Sequence, residues 1–118
     1  MTPAGNQLKF ATESFEVQAG QDVHLLMNNT ATSAAMLHNV VILRSDADLD
    51  AVIEASASAS STGFIPDHPA ILAATPTASP GEQTEIRFTA PAAVGEYPYV
   101  CLYPGHYFLM RGVMRVTP

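Results

Sequence analysis

A chain of 118 residues with 47% apolar and 14% charged side chains is long enough to bury one continuous core without a metal or disulfide to staple it. The formal charge is −6, and the five basic residues (Lys9, Arg44, Arg87, Arg111 and Arg115) are scattered, which argues against nucleic acid and anionic membrane surfaces as partners. No apolar run approaches the ~20 residues of a membrane-spanning helix.

The first residues, Met1 to Asn6, lack the basic start and apolar centre of a signal peptide. The protein is therefore expected to be cytosolic or to have lost a leader or preceding domain. Phe15 and Val17 alternate with polar neighbours and open the first strand, and residues 18–22 read as a turn. Val23, Leu25 and Met27 form the inward set of the next strand, with His24 and Leu26 on its other face, and Asn28-Asn29-Thr30 closes it. A third strand runs from His38 to Leu43, where the apolar run predicts burial on both faces at one end. Ser45 is the expected N-cap of a helix from about Asp46 to Ser56, since Asp46 and Asp48 suit the positive end of a helix dipole and Leu49, Val52 and Ile53 have helical spacing. Its carboxylates, with Asp50 and Glu54, read as a solvated face rather than a calcium site. The Ala/Ser run that follows, through Thr62-Gly63, reads as a flexible exit. Pro66, Pro69, Pro76 and Pro80 exclude a long helix or central strand up to Gly81. Strands at Glu82–Thr89, Glu96–Cys101 and Val113–Val116 complete an all-β sandwich in one domain, residues 1–118, with one helical insertion around residues 46–57.

The chemistry concentrates in Cys101-Leu102-Tyr103-Pro104-Gly105-His106-Tyr107-Phe108-Leu109-Met110. A thiol, an imidazole and a thioether fall within ten residues, and Pro104-Gly105 supplies a turn that aims the first two at one point. A Cys/His/His set with a weak axial Met is the donor set of blue-copper electron-transfer sites. His38, at the start of an apolar strand and beside Asn39, is the best-placed second imidazole. The predicted cofactor is one type 1 copper on His38, Cys101, His106 and Met110. Taken alone, Cys101 reads as a small core residue and Met110 as core packing; their register with the two histidines reverses that. His24 and His68 read as solvated surface residues, and Met27 and Met114 as core.

Other chemistries fit less well. A hydrolase built on Cys101 and His106 lacks an orienting carboxylate or amide and room for substrate across the tight turn. A binuclear copper centre needs a second cysteine, and structural zinc normally uses more thiolates. No enzymatic activity is expected. A copper carrier or chaperone, or a copper-binding domain of a larger redox protein, is the alternative to a free electron shuttle.

The Cys101–Met110 segment, with His five and Met nine residues after the Cys and continuing through Arg111-Gly112, resembles the copper loop of azurins. Met36-Leu37-His38-Asn39 is similar to the azurin and auracyanin segment that carries the first His ligand. The resemblance covers nearly the whole chain and implies a cupredoxin Greek-key β-sandwich of about seven or eight strands in two sheets. It implies equatorial His38, Cys101 and His106, axial Met110, and a second weak axial contact from the Leu37 carbonyl, at a position where azurins have Gly. It also implies that Asn39 ties the two ligand segments together, with the Asn39 and Tyr103 N–H groups aimed at the Cys101 sulfur. Val40 stands where many relatives have Trp, and the N-terminal disulfide of azurins is absent. His106 is then the ligand whose edge reaches solvent, inside an apolar ring of Met36, Leu37, Tyr103, Pro104, Phe108 and Leu109. Transient redox partners of the cytochrome or copper oxidase/reductase type would dock there on a monomer in the periplasm or elsewhere outside the cytoplasm. A membrane would be involved only through an anchor that this chain does not contain.

Overall fold

The structure is a computed structural model that describes residues 13–32, 36–45, 48–103, 106 and 110–118. Seven strands form two sheets: β1 (Ser14–Gln18), β2 (Asp22–Asn28), β3 (Val41–Leu43), β4 (Ile71–Ala74), β5 (Gln83–Thr89), β6 (Gly95–Val100) and β7 (Arg111–Thr117). The larger sheet runs β1-β7-β6-β3-β4, and β2 pairs with β5 in the smaller. Every ladder is antiparallel except that of β1 with β7.

The alternation in the sequence is what divides the core in two. Met27, Val40, Ile42, Tyr99, Cys101, Met110, Met114 and Val116 lie buried between the sheets. The residues that alternate with them, Val41, Leu43, Val100 and Leu102, pack on the opposite face with Val52 of helix α1 (Leu49–Ser56). The helix therefore covers the outer face of β3 and β6, and β3 is buried on both faces as its apolar run predicts. Each such fully enclosed aliphatic side chain stabilises the fold by about 1.5–3 kcal/mol.

Three local expectations are corrected. The helix starts at Leu49 after an Asp48 that makes no side-chain cap hydrogen bond; Ser45 contributes its carbonyl to the Asp48 N–H at 3.3 Å, and Asp46 lies outside the described residues. The exit is not loose: a 3-10 turn at Ser60–Thr62 ends on left-handed Gly63, and the Ala59 carbonyl accepts from both Thr62 and Phe64. The stretch rich in proline admits no central strand, as expected: its strand β4 is four residues long, lies at the sheet edge and fits between Pro69 and Pro76. The third strand is shorter than its apolar run because the ladder breaks at Asn39 and Val40. There the Val40 N–H donates to the Thr75 hydroxyl at 2.9 Å, and His38 pairs with Ala78 in a separate bridge.

Two backbone adaptations fit the strands beside Cys101 and Met110 together. Pro98 is tolerated in β6 because β3 pairs only with Tyr99 and Val100, which leaves Pro98 a neighbour on one side alone. Gly112 sits opposite Tyr99, whose ring lies over its Cα so closely that a Cβ there would overlap Cζ, Cε2 and the hydroxyl oxygen.

Candidate metal centre

His38, Cys101, His106 and Met110 come from three separate places in the fold, and all are buried. His38 leaves the isolated bridge to Ala78, its N–H donating to the Ala78 carbonyl at 3.1 Å while its own carbonyl accepts from Ala78 at 2.8 Å. Cys101 continues β6 on the inward face, and Met110 immediately precedes β7. Three peptide hydrogen bonds close the loop: Cys101 N–H to the Met110 carbonyl (3.0 Å), Met110 N–H to His106 (2.9 Å) and His106 N–H to Tyr103 (2.9 Å).

Within that frame Cys101 Sγ lies 3.9 Å from His38 Nδ1 and 3.8 Å from His106 Nδ1. The ligand atoms of the three residues all fall within 4.8 Å of one another. Bond lengths of about 2.3 Å to sulfur and 2.0 Å to imidazole, opened by 120° as in a trigonal site, separate those donors by about 3.7 Å. The observed spacings match, so the residues present fit a soft first-row ion without rearrangement. Met110, buried in the same core cluster as Cys101, would add a thioether to this Cys/His/His set, a combination that suits copper better than zinc.

The electrostatics of the pocket follow from its dryness. Burial, and then the neighbouring charge of His106, lowers the His38 pKa to about 4. Burial lowers His106 too, opposed by a hydrogen bond from its ring to the Leu37 carbonyl. Both imidazoles are therefore neutral at pH 7, with lone pairs available for a metal. Burial pushes the Cys101 thiol up to about 11, against backbone hydrogen bonds from Asn39 and Tyr103 that favour the thiolate. His38 Nε2 has no hydrogen-bond partner among the described residues.

The polar scaffold around the donors is more extensive than their own sequence context suggests. Asn39 Oδ1 accepts from the Leu102 N–H at 2.8 Å, and Nδ2 donates to the Gly63 carbonyl (3.2 Å) and Thr77 Oγ1 (3.1 Å). These bonds join the segment of His38 to that of Cys101 and also anchor the turn after the helix. Thr75, Thr77 and Gly63 are members that sequence reasoning missed; they lie in segments read only as Pro-rich or flexible. Asn29 is another, read only as the end of a strand. Tyr103 lies against His106, ring centroids 5.0 Å apart, and Phe64 meets Tyr103 edge-on at 5.3 Å. Met36, Leu37 and Tyr103 of the expected apolar ring are half-buried, whereas Pro104, Phe108 and Leu109 lie outside the described residues. His24 pairs with Glu85 at 2.8 Å on the exposed sheet face, and His68 Nδ1 accepts from the Ala70 N–H at 3.1 Å, which makes His68 a turn brace rather than a freely solvated residue.

Comparison with known proteins agrees with this chemistry. A family model described as copper binding proteins, plastocyanin/azurin family, matches residues 1–117. Auracyanin-A of Chloroflexus aurantiacus is 37% identical over 116 residues, 96% of this chain and 70% of that protein. Auracyanin-B of the same organism is 33% identical over 119 residues; the match takes in 98% of this chain but only 50% of the relative's length. Among solved structures, that of dithionite-reduced auracyanin from the photosynthetic bacterium Roseiflexus castenholzii superimposes with a TM-score of 0.90 at 38% identity, covering 99% of this chain and 94% of that one. The seven strands in two sheets with one helix are the cupredoxin architecture of these auracyanins.

Proposed function

Because this chain belongs to the plastocyanin/azurin family of copper-binding proteins, we propose that it carries one electron at a time on a single type 1 copper held by His38, Cys101, His106 and Met110. The observation that carries the reading is the pocket itself: a thiol 3.8 and 3.9 Å from two neutral imidazoles, enclosed beside a buried thioether. Bound copper supplies a one-electron Cu(II)/Cu(I) couple in a set of donors that suits neither state fully. The chain supplies rigidity. Backbone hydrogen bonds close the Cys101–Met110 loop and the Asn39 amide ties it to the segment of His38, so the donors stay in place when the charge between them changes.

His106 is the contact point for partners in this reading. It keeps 6% of its surface exposed where the other three donors are sealed. Half-buried Leu37 and Tyr103 lie against it, and they and Met36 would offer the apolar face on which a cytochrome or a copper oxidase or reductase docks briefly, with Pro104, Phe108 and Leu109 its further candidates from the sequence. The Asn39 and Tyr103 N–H groups would hold the Cys101 thiolate, and the Leu37 carbonyl, which accepts from the His106 ring, would be at most a weak further oxygen donor. The chain acts as a monomer outside the cytoplasm and not as an enzyme.

The test is to add Cu(II) to the purified apo-protein. An intense visible band should develop, bleach with ascorbate and return with ferricyanide through repeated cycles in the presence of a chelator. Copper bound without colour refutes the blue-copper site. A coloured protein that yields its copper to the chelator within one cycle is a copper carrier instead.

A further inference from the structure

We propose that Asn29 is a positioning residue for His38, holding the backbone on both sides of that ligand and coupling the smaller sheet to the metal pocket. The proposal rests on the copper reading above for its spectroscopic consequences, but its geometry is independent of it. Asn29 follows β2 and is completely buried. Its Nδ2 donates to the Met36 carbonyl at 2.7 Å and to the Ala78 carbonyl at 2.9 Å, and its Oδ1 accepts from the Ala31 N–H at 3.1 Å. Its peptide N–H donates to Glu82 at 2.9 Å and its carbonyl accepts from Gly81 at 2.8 Å.

Only the bond to Ala31 is what a turn asks of an asparagine, whose side-chain oxygen commonly accepts from the peptide two residues on. In an ordinary turn the amide nitrogen faces water. Here it faces inward, and both of its hydrogens go to backbone next to the ligand. The Ala78 carbonyl is the same one that accepts from the His38 N–H, so the Asn29 amide and the ligand's own peptide converge on one oxygen. The Met36 carbonyl lies two residues ahead of His38, at the start of the segment whose Leu37 carbonyl meets His106. Asn39 fixes the chain just after His38 by reaching Leu102. Asn29 fixes it just before, from the opposite sheet.

Neither bond can be exchanged for water at no cost, because the donor and one acceptor are enclosed. Losing them frees residues 36–38 to shift as a unit. The His38 ring then loses its fixed place beside Cys101, although no ligand has been changed.

The experiment compares Asn29→Asp, which keeps the shape but removes both donors, with Asn29→Ser, which is smaller and retains one. Val116→Ala, a cavity at the far end of β7, is the control for global stability. Copper release to a chelator should quicken on the order of 10–100-fold in both Asn29 variants. Their visible band and copper hyperfine splitting should shift, while Val116→Ala keeps the wild-type spectrum and release rate. In the apo-proteins, amide hydrogen exchange at His38 and Ala78 should accelerate more than at Val41 and Val100 in the Asn29 variants only. Wild-type release, spectrum and exchange in either Asn29 variant would overturn the proposal, as would equal changes in Val116→Ala. A wild-type protein that binds copper without colour refutes the copper reading alone, since the exchange comparison still decides the role of Asn29.

Discussion

Replacing Asn39 with alanine measures what the amide brace contributes before any metal is bound. The side chain makes three hydrogen bonds, and they are not equivalent. Gly63 keeps a partner without it, because the Thr77 hydroxyl donates to the same carbonyl at 2.7 Å. The Leu102 N–H does not: Asn39 Oδ1 is the acceptor it meets at 2.8 Å, and Leu102 is buried. An orphaned buried amide costs about 1–3 kcal/mol, and the lost bonds from Nδ2 add about 1 kcal/mol. A total of about 2–4 kcal/mol is a large share of the 5–15 kcal/mol typical of a domain, yet leaves the chain folded. Urea unfolding of the apo-protein should show a midpoint lower by about 1–2 M with an unchanged slope. Thr77→Val should cost less, about 1 kcal/mol, since the Asn39–Leu102 bond survives it. A midpoint shift in Asn39→Ala below about 0.3 M, or a larger shift in Thr77→Val, would refute this reasoning.

The two buried imidazoles make the apo-protein sensitive to acid. In the unfolded chain His38 takes up a proton near 6.5, whereas in the fold it resists until about 4, and His106 is lowered too. Between those values the unfolded state binds more protons, so stability falls as pH drops through the window and is unaffected by these groups above it. Urea midpoints at pH 7.5, 6 and 5 check this, and His38→Gln should flatten the trend; a trend that survives the substitution unchanged assigns it to other groups. Gly112→Ala should destabilise by about 1–3 kcal/mol through overlap with the Tyr99 ring, and Tyr99→Leu in the same chain should recover part of the loss. Additive effects in that double-mutant cycle would contradict the contact. Cys101→Ser should abolish the visible band, Met110→Leu should keep it while shifting the potential, and His106→Gly should restore it only with added imidazole, each read by absorption and voltammetry.

The donors were legible because copper chemistry constrains residue type and spacing together. Cys101, His106 and Met110 form one short loop, and His38-Asn39 stands at the head of an apolar strand, so both segments announce themselves. The strands with strict alternation, β2 and β5, were equally plain, since one face is packed and the other wet. What escaped was structure sustained by long-range partners. β4 has no polar alternation and sits among prolines; it is a strand only because β3 offers it an edge. The third strand looked longer than it is because nothing in Asn39-Val40 reveals that Thr75 will replace a ladder bond with a hydroxyl. Asn29 has the local sequence of a turn, and its outward-facing alternative is excluded only by burial under residues 36 and 78.

The protonation states of the pocket let its donors pack together as neutral groups. Burial drives His38 down to about 4 and Cys101 up to about 11, and both shifts select the neutral form at pH 7. In those neutral forms the donors bring no net charge into the pocket, and they can pack in a dry core without mutual repulsion. The peptide N–H groups of Asn39 and Tyr103 point the other way, toward the charged sulfur, and in the apo-protein they only partly offset its burial. They become fully effective once the thiol releases its proton to solvent and the sulfur binds a cation. Holding those two donors in place, through the Asn39 amide on one side and the closed Cys101–Met110 loop on the other, thus prepares the site for a thiolate it does not yet contain.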